Sequence, residues 1–368
     1  MATIDKNKLG LIFKLGLILI AAILLITVLA SAAAPTSHFY MNASSGSSPP
    51  EPPEPPEPPE YPEDAVYLSD WLEADGSDET DEIEAAFDYA DSHGNSTIVF
   101  PSGGKTIGIV YAITAPYETE LIGNGCTIKL LDGEGTEGGD FFITGEHTYI
   151  HDLILDGNRE NQGEVTVNGV TIEDGARFVN NTVHDSNGYM VGTYKGDDIY
   201  IANNTFYNTD QYCLGTSGLG EPYGAVPSDW CDNITIVNNT IYNCGQVGIK
   251  IRQTSNSLVK WNDITIPASG ANQYYGIRMY TTDGTNDNII VTKNNIHGNG
   301  NADEVGIWTD PYEETDISLT NNNITAVRNG IDLNDGEHTV TGNTITYYDS
   351  CIVETGSNTV SGNYCTEL

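Results

Sequence analysis

One short pattern recurs through the C-terminal half of the chain and constrains the fold more than any other feature. Each copy has an apolar residue, two variable residues, an Asn, a variable residue and a second apolar residue, or a close variant. The copies are FVNNTV, IANNTF, IVNNTI, VKWNDI, VTKNNI, LTNNNI, VTGNTI and VSGNY, with the shared Asn at 181, 204, 239, 262, 294, 322, 343 and 363. The intervals run from 20 to 35 residues, so units near 20 residues carry insertions of different lengths.

Units of this kind predict an all-β solenoid, the parallel β-helix. Each coil contributes short strands whose alternate apolar residues point inward, and successive coils stack by parallel hydrogen bonding around one continuous core. An Asn repeated at one corner can then hydrogen-bond to its copies above and below. We therefore expect Asn239, Asn262 and Asn294 to stand in a single file.

A second pattern follows in four of the coils: VGIKIR, YGIRMY, VGIWTD and NGIDLN. If the apolar residue after each Gly faces the core, alternation sends the next residue outward and the one two positions later outward again. The expected exposed columns are Lys250, Arg278, Trp308 and Asp332, and beside them Arg252, Tyr280, Asp310 and Asn334.

The charge balance makes these columns unusual. The chain has 14 Lys plus Arg against 52 Asp plus Glu, and because three of the cations precede residue 15, only 11 remain for the rest. Such an acidic excess argues against nucleic acid as a partner. Lys250, Arg252 and Arg278 would form a basic patch that fits a sugar carboxylate, with aromatic rings to cover the apolar sugar face. The alternative is local ion pairing, for example of Arg278 with Asp310.

The N-terminal part indicates export. The span 15–34 has no charge and follows three lysines, which is typical either of a membrane anchor or of a secretory signal peptide. Prolines and glutamates then predict an extended stalk. The expected organisation is 1–34 anchor or signal, 35–64 stalk and 65–368 β-helix domain, in a protein that is secreted or held at the cell surface. Sequons permit glycosylation at Asn42, Asn95, Asn180, Asn203, Asn233, Asn238 and Asn323.

Six cysteines suit an exported protein with disulfides, and the absence of a C-x-x-C pair argues against structural zinc. The predicted pairs are Cys351 with Cys365, and Cys213 with Cys231.

Residues 70–109 predict an N-terminal cap. Apolar residues at helical spacing, acids in the first turn and Gly94 after the end indicate a short helix, and TIVF indicates a strand. A helix here would cover the open end of the solenoid.

DGSDETDEIEAAF, TIVFPSGG and IHDLILDGNREN resemble the opening of the pectate-lyase-like superfamily, in particular its rhamnogalacturonase and epimerase-like group and the polygalacturonases. With the repeats, the resemblance covers about 65–368 and implies a right-handed parallel β-helix that acts on acidic polysaccharides or cell-surface glycans. Some relatives are only adhesive or structural, so a non-catalytic glycan-binding or surface module remains an alternative.

The resemblance implies particular parts for each reaction. A lyase or epimerase neutralises the uronate carboxylate with a cation or calcium and abstracts the neighbouring proton with Arg, Lys or Tyr, roles open to Lys250, Arg252, Arg278 and Asp310. Sugar contacts would come from Trp308, Tyr280, Tyr275 and Asp332. A polygalacturonase-like hydrolase would use Asp210 of YNTD as its acid, but the chain lacks the Gly-His-Gly and the aligned Asp-Asp of those enzymes. The sequence fixes no metal ligands.

One histidine also has the neighbour that a general base requires. His184 precedes Asp185, an acid that can orient an imidazole. The alternative is a turn residue without a catalytic role.

Overall fold

The computed structural model describes residues 61–217, 230–267, 274–281, 286–301, 303–309, 316–334 and 336–368. The predicted anchor at 15–34, most of the predicted stalk and Asp310 lie outside these residues. Among the described residues, no helix is both long and apolar enough to cross a membrane.

All strand pairs in the described part of the chain are parallel, and the chain passes through three strand-bearing faces in each full coil. The first sheet has 12 strands. They are Val66–Tyr67, Thr97–Val99, Glu120–Ile122, Tyr149–His151, Arg177–Val179, Tyr200–Ala202, Thr235–Val237, Leu258–Lys260, Ile290–Thr292, Ser318–Thr320, Thr339–Thr341 and Thr359–Ser361.

The other 20 strands of the two large sheets form one sheet with two faces, because Asn323–Leu333 and Thr344–Glu354 run through the corner between them. The second face also contains Asp75–Asp78, Thr106–Ile109, Thr127–Leu130, Ile154–Asp156, Thr182–Ser186, Thr205–Thr209, Thr240–Cys244, Asp263–Thr265, Asn295–His297 and Tyr364–Glu367. The third face also contains Ile113–Thr114, Asp140–Ile143, Asn168–Ile172, Val191–Tyr194, Tyr212–Ser217, Val247–Arg252, Tyr274–Tyr280 and Glu304–Thr309. Cys231–Asp232 pairs with Thr254–Ser255 in a separate two-stranded sheet. The predicted fold, a right-handed parallel β-helix, is confirmed.

The repeated asparagines form the predicted ladder at the corner between the first sheet and the second face. The Oδ1 atom of Asn262 accepts hydrogen bonds from the backbone N and the Nδ2 of Asn239, both at 3.0 Å. Asn294 does the same for Asn262 at the same distances. These side chains are buried, and the ladder satisfies backbone groups that the corner leaves without strand partners.

The predicted N-terminal helix is α1, Thr80–His93, which ends at Gly94 in the left-handed conformation with φ 68°. It buries Ile83, Phe87 and two alanines in the main core and packs against the first strands of the solenoid. Short 3-10 helices span Leu68–Asp70 and Arg159–Asn161.

One disulfide prediction is confirmed and the other is wrong. Cys351 bonds Cys365. Cys213 bonds Cys244 instead of Cys231, because Thr209 pairs with Cys244 and Tyr212 with Val247, which brings Cys213 close to Cys244 with the two Cα atoms 5.5 Å apart. Cys231 is a buried free thiol in the small sheet, with its Sγ 3.5 Å from the Thr193 hydroxyl.

Candidate functional site

The third face carries the predicted basic column, but its side chains are partly buried rather than exposed as expected. Lys250 pairs in register with Arg278, Arg278 with Trp308, and Trp308 with Asp332. In the neighbouring column Arg252 pairs with Tyr280. The next predicted member of that column, Asp310, lies outside the described residues.

A glycine inside the strand Tyr274–Tyr280 explains why Tyr275 lies outside the main core. A Cβ on Gly276 would lie 2.5 Å from the Cγ2 of core residue Ile296, so this position faces the core. Tyr275, the residue before it, therefore faces outward. It is only 5% exposed because it packs with Val247, Val305 and Trp308 outside the main core.

The cations and rings of this face form one cluster, which we name the cation–tyrosine cluster: Lys250, Arg252, Arg278, Tyr212, Tyr275, Tyr280 and Trp308. The Nζ of Lys250 lies 4.1 Å from the centre of the Tyr212 ring and 5.3 Å from that of Tyr280. The Cζ of Arg278 lies 4.6 Å from the Tyr280 ring centre, and that of Arg252 lies 5.6 Å from it. All three cations of the patch therefore meet at Tyr280.

Arg278 is also enclosed from its other sides. Its Cζ lies 4.8 Å from the Trp308 ring centre and 5.1 Å from the Tyr275 ring centre. Its Nε is buried and has no hydrogen-bond partner among the described residues. The guanidinium is thus held in place by rings, which leaves hydrogen-bonding capacity for a ligand.

Burial perturbs two ionisable groups on this face. It lowers the pKa of Lys250, and the positive charges of Arg252 and Arg278 lower it further, against opposing interactions with Tyr280. Burial raises the pKa of Asp332. Both shifts disfavour the charged form of the group.

Asp210, the predicted hydrolytic acid, has a different partner. Its Oδ1 lies 2.6 Å from a terminal nitrogen of Arg159, beside the second face. The structure therefore assigns Asp210 to an ion pair with Arg159.

His184 lies beside a cleft of about 410 Å³ on the second face, which we name the His184 cleft. Its Nδ1 is 2.7 Å from Asp185 and 3.8 Å from Asp156, and its ring stacks on Tyr207 with centres 5.0 Å apart. The residues lining the cleft are Lys129, Asp156, Asn158, Arg159, Glu160, Asn161, Asp185 and Asn208.

The cleft combines groups for acid–base chemistry with groups that bind ions. The Nζ of Lys129 lies 3.8 Å from Asp156, and Asn208 donates a 2.9 Å hydrogen bond to Asp185. Ligand atoms of Asp156, His184 and Asp185 all lie within 4.8 Å of one another, close enough to share a metal ion.

A larger cleft of about 520 Å³ lies beside α1 at the N-terminal end. Among the residues that the structure describes, its lining contains Glu63, Asp64 and Asp70 but no Lys or Arg. An acidic sugar would be repelled there, so size alone does not make this cleft the best candidate.

Residues 123–287 and 165–365 match the protein-family model described as a right handed beta helix region. The chain belongs to this family.

Solved structures share the fold of this β-helix protein at low identity. The A-module of mannuronan C-5 epimerase AlgE4 from Azotobacter vinelandii is 18% identical, with 82% of this chain and 99% of that chain covered and a TM-score of 0.55. The Dettilon tailspike protein is 16% identical, with 83% and 62% covered and a TM-score of 0.62. PfbA, a surface adhesin of Streptococcus pneumoniae, is 15% identical, with 82% and 90% covered and a TM-score of 0.55. The sequence has no match among curated proteins.

Two parts of these sites were not predicted from the sequence of the β-helix protein. Tyr212 belongs to the cation–tyrosine cluster, and the signal for it was the register of YCLGTS with VGIKIR, which puts Tyr212 opposite Val247. Lys129 and Asp156 come from two coils that precede His184, and only stacking brings them together.

Proposed function

We propose that this protein binds an acidic polysaccharide along its third face and acts on the uronate residues by proton abstraction, leading to β-elimination or epimerisation. The observation that carries the proposal is the convergence of Lys250, Arg252 and Arg278 within 5.6 Å of the Tyr280 ring centre. In a chain of net charge −38, three cations at one phenol favour an anionic ligand.

The chemistry requires a neutralised carboxylate and a base. The proton on the ring carbon next to a uronate carboxylate becomes acidic only when the developing negative charge is stabilised. Arg252 and Arg278 would bind the carboxylate with planar, fixed donors. Lys250 would be the base, because its lowered pKa increases the neutral fraction of the amine.

The two outcomes differ in the fate of the intermediate. In both, the carbon–hydrogen bond breaks and the proton passes to Nζ of Lys250. In epimerisation Tyr280, whose ring centre lies 5.3 Å from Nζ of Lys250, would return a proton to the opposite face of the sugar carbon. In elimination the bond to the neighbouring glycosidic oxygen breaks instead, a carbon–carbon double bond forms, and the leaving oxygen takes a proton.

Calcium, the cofactor that the resemblance suggests, does not fit the described part of the cluster. Asp332 supplies the carboxylate in the basic column, and three cations lie on the neighbouring coils. Calcium requires several oxygen ligands and a net negative charge, and the described residues of the basic column provide neither.

The His184 cleft supports a second location for the same chemistry. Asp185 orients the imidazole through Nδ1, which leaves Nε2 for a substrate proton, and Lys129 and Arg159 line the cleft as carboxylate partners. The non-catalytic alternative, a glycan-binding surface module, is supported by the ring cover of Lys250 and Arg278, which stabilises both side chains without a ligand. The structural neighbours are consistent with either alternative, since one is named an epimerase and another a surface adhesin. All of these functions place the protein outside the cell, secreted or on the surface.

The test incubates the full chain with polygalacturonate and with alginate. Elimination is followed by ultraviolet absorbance of unsaturated products, and epimerisation by proton NMR of the uronate composition. We expect Lys250→Met and Arg278→Gln each to lower the rate at least about 100-fold. His184→Ala, which leaves the third face intact, is expected to retain activity.

The other outcomes assign the function differently. Loss of activity in His184→Ala with activity kept in Lys250→Met moves the reaction to the His184 cleft. Binding without product supports the surface module. New reducing ends without unsaturation, lost in Asp210→Asn, would support a polygalacturonase-like hydrolase. If the protein neither binds nor changes any uronan, the proposal is wrong.

A further inference from the structure

The corner that carries the asparagine ladder contains a backbone position whose torsion angles few residue types adopt at low energy. The residue just before each ladder Asn has positive φ, between 54° and 68° in all eight copies. Only Gly, and to a lesser degree Asn and Asp, adopt this conformation at low cost. Six of the copies accordingly have Asn or Gly there: Asn180, Asn203, Asn238, Asn321, Gly342 and Gly362.

The two exceptions are neighbours. Trp261 and Lys293 occupy this position in consecutive coils, each with φ 57°. A bulky residue in the left-handed region is strained, and residues with such strain cluster at functional sites.

Two lysine side chains lie near the Trp261 ring. The Nζ of Lys260 lies 3.6 Å from the centre of the Trp261 ring system and that of Lys293 lies 5.8 Å from it. Trp261 is 51% exposed, and Ile290, in the next coil, is 41% exposed. Lys260, Trp261 and Lys293 form a patch at the corner between the first sheet and the second face, whereas the cation–tyrosine cluster lies on the third face.

A purely structural role does not account for the patch. An indole that is half exposed leaves much of its apolar surface in water, and a cation–π contact at an exposed site is weak. An Asn at this corner would avoid the strain and could join the outer row in which Asn238 donates a 2.7 Å hydrogen bond to Asn203. Two of the 11 cations of the chain after residue 34 are nevertheless placed here.

We propose that Lys260, Trp261 and Lys293 form a second binding site for an anionic polysaccharide, separate from the site of reaction. The lysines would bind sugar carboxylates and the indole would contact the apolar face of a sugar ring. The inference rests on the proposed function only for the choice of uronan as the ligand.

Charge favours a polysaccharide strand over a membrane surface. A flat anionic bilayer would bring a wide area of this acidic protein within the screening length of about 8 Å and be repelled. A single polymer strand contacts only the patch and avoids most of the acidic surface.

The test compares variants of the full chain in affinity electrophoresis through gels that contain polygalacturonate or alginate. Trp261→Asn installs the residue of the neighbouring corners, so we expect its midpoint of thermal unfolding to be equal to or above that of the parent. Its polymer affinity is expected to fall about fivefold or more. Lys260→Gln and Lys293→Gln are expected to lower the affinity likewise, whereas the matched control Lys105→Gln, at an exposed site elsewhere, is expected to leave it unchanged.

Three outcomes would overturn the inference. The first is unchanged polymer affinity in Trp261→Asn and in both lysine variants. The second is a drop in unfolding midpoint in Trp261→Asn with no affinity change in the lysine variants, which assigns the patch a structural role. The third is loss of binding to vesicles of equal parts phosphatidylglycerol and phosphatidylcholine with polymer affinity unchanged, which makes the patch a membrane contact.

The readouts separate this site from the proposed reaction. Lys250→Met is expected to abolish product formation while the contribution of Trp261 to polymer affinity persists. Trp261→Asn is expected to act on short oligouronates at the parent rate, because these cannot reach both sites. If no uronan is converted at all, the loss of polymer affinity in Trp261→Asn still supports the second site.

Discussion

The amine of Lys250 lies 4.1 Å from the centre of the Tyr212 ring, and a glycine makes this contact possible. Gly215 pairs in register with Lys250 one coil away, and a Cβ on Gly215 would lie 2.6 Å from Cε2 of Tyr212. The missing side chain lets the ring lie over the strand and cover the amine. Burial of Lys250, and hence its lowered pKa, depends in part on this arrangement.

Gly215→Ala is therefore expected to displace the Tyr212 ring and return the pKa of Lys250 toward its ordinary value. The pH dependence of uronan conversion would then shift upward, and the rate at neutral pH would fall about tenfold. Tyr212→Phe, which keeps the ring, serves as the control and should keep the parent profile. An unchanged pH profile in Gly215→Ala would show that the ring does not tune Lys250.

Lys250 should also make stability depend on pH. Its folded pKa is lowered from the ordinary 10.5, so between the folded value and 10.5 the unfolded chain binds more protons and stability rises with pH. Below the folded pKa, the buried charge opposes folding by a constant amount. Lys250→Met is thus expected to be more stable than the parent near neutral pH, and the gap should narrow as pH rises toward 10.5, measured by urea unfolding at several pH values. A gap that does not change with pH would contradict the assigned shift.

Asp332 is expected to make stability fall, rather than rise, with increasing pH. Burial raises its folded pKa above the ordinary 3.8, so its stability contribution is full below 3.8 and is lost as pH rises through the folded pKa. Asp332→Asn should therefore stabilise the protein at neutral pH by at most about 1 kcal/mol, since the side chain is only half-buried. Chemical unfolding at acidic and neutral pH checks this, with Asp88→Asn, at an exposed site on α1, as the control. Equal stabilisation at both pH values would rule out titration of Asp332 as the cause.

The hydrogen bonds of the ladder predict that substitution of two adjacent residues has very different effects on the free energy of unfolding. Asn294 is fully buried, and its Oδ1 accepts two hydrogen bonds from Asn262, whereas the side chain of Asn295 is exposed. Asn294→Ala leaves buried donors without a partner and is expected to cost about 2 to 4 kcal/mol in the free energy of unfolding. Asn295→Ala should cost less than about 0.5 kcal/mol. Comparable losses in the two variants would mean that the ladder does not stabilise the stack.

The repeat and the alternation predicted the fold and most of the third face. A residue repeated at the same corner of successive coils must stack on its copies. The stacking of Asn262 with its copies and the pairing of Lys250 with Arg278 therefore followed from spacing alone. Likewise, the spacing of Ile83 and Phe87 and the following Gly94 predicted α1.

The spacing of residues along the chain could not predict contacts between residues that are separated by insertions. Cys213 bonds Cys244 rather than Cys231 because Cys231 lies in a separate small sheet. Asp210 meets Arg159 because a loop from an earlier coil lies beside it.

The sequence by itself determined a stacked, acidic β-helix with a basic column on one face, because these properties depend on periodicity and charge. Only the tertiary structure decided which rings cover Lys250, which acids surround His184, and that Trp261 and Lys293 occupy strained corner positions. These features depend on contacts between coils and on backbone torsions, and neither is encoded in the spacing of residues along the chain.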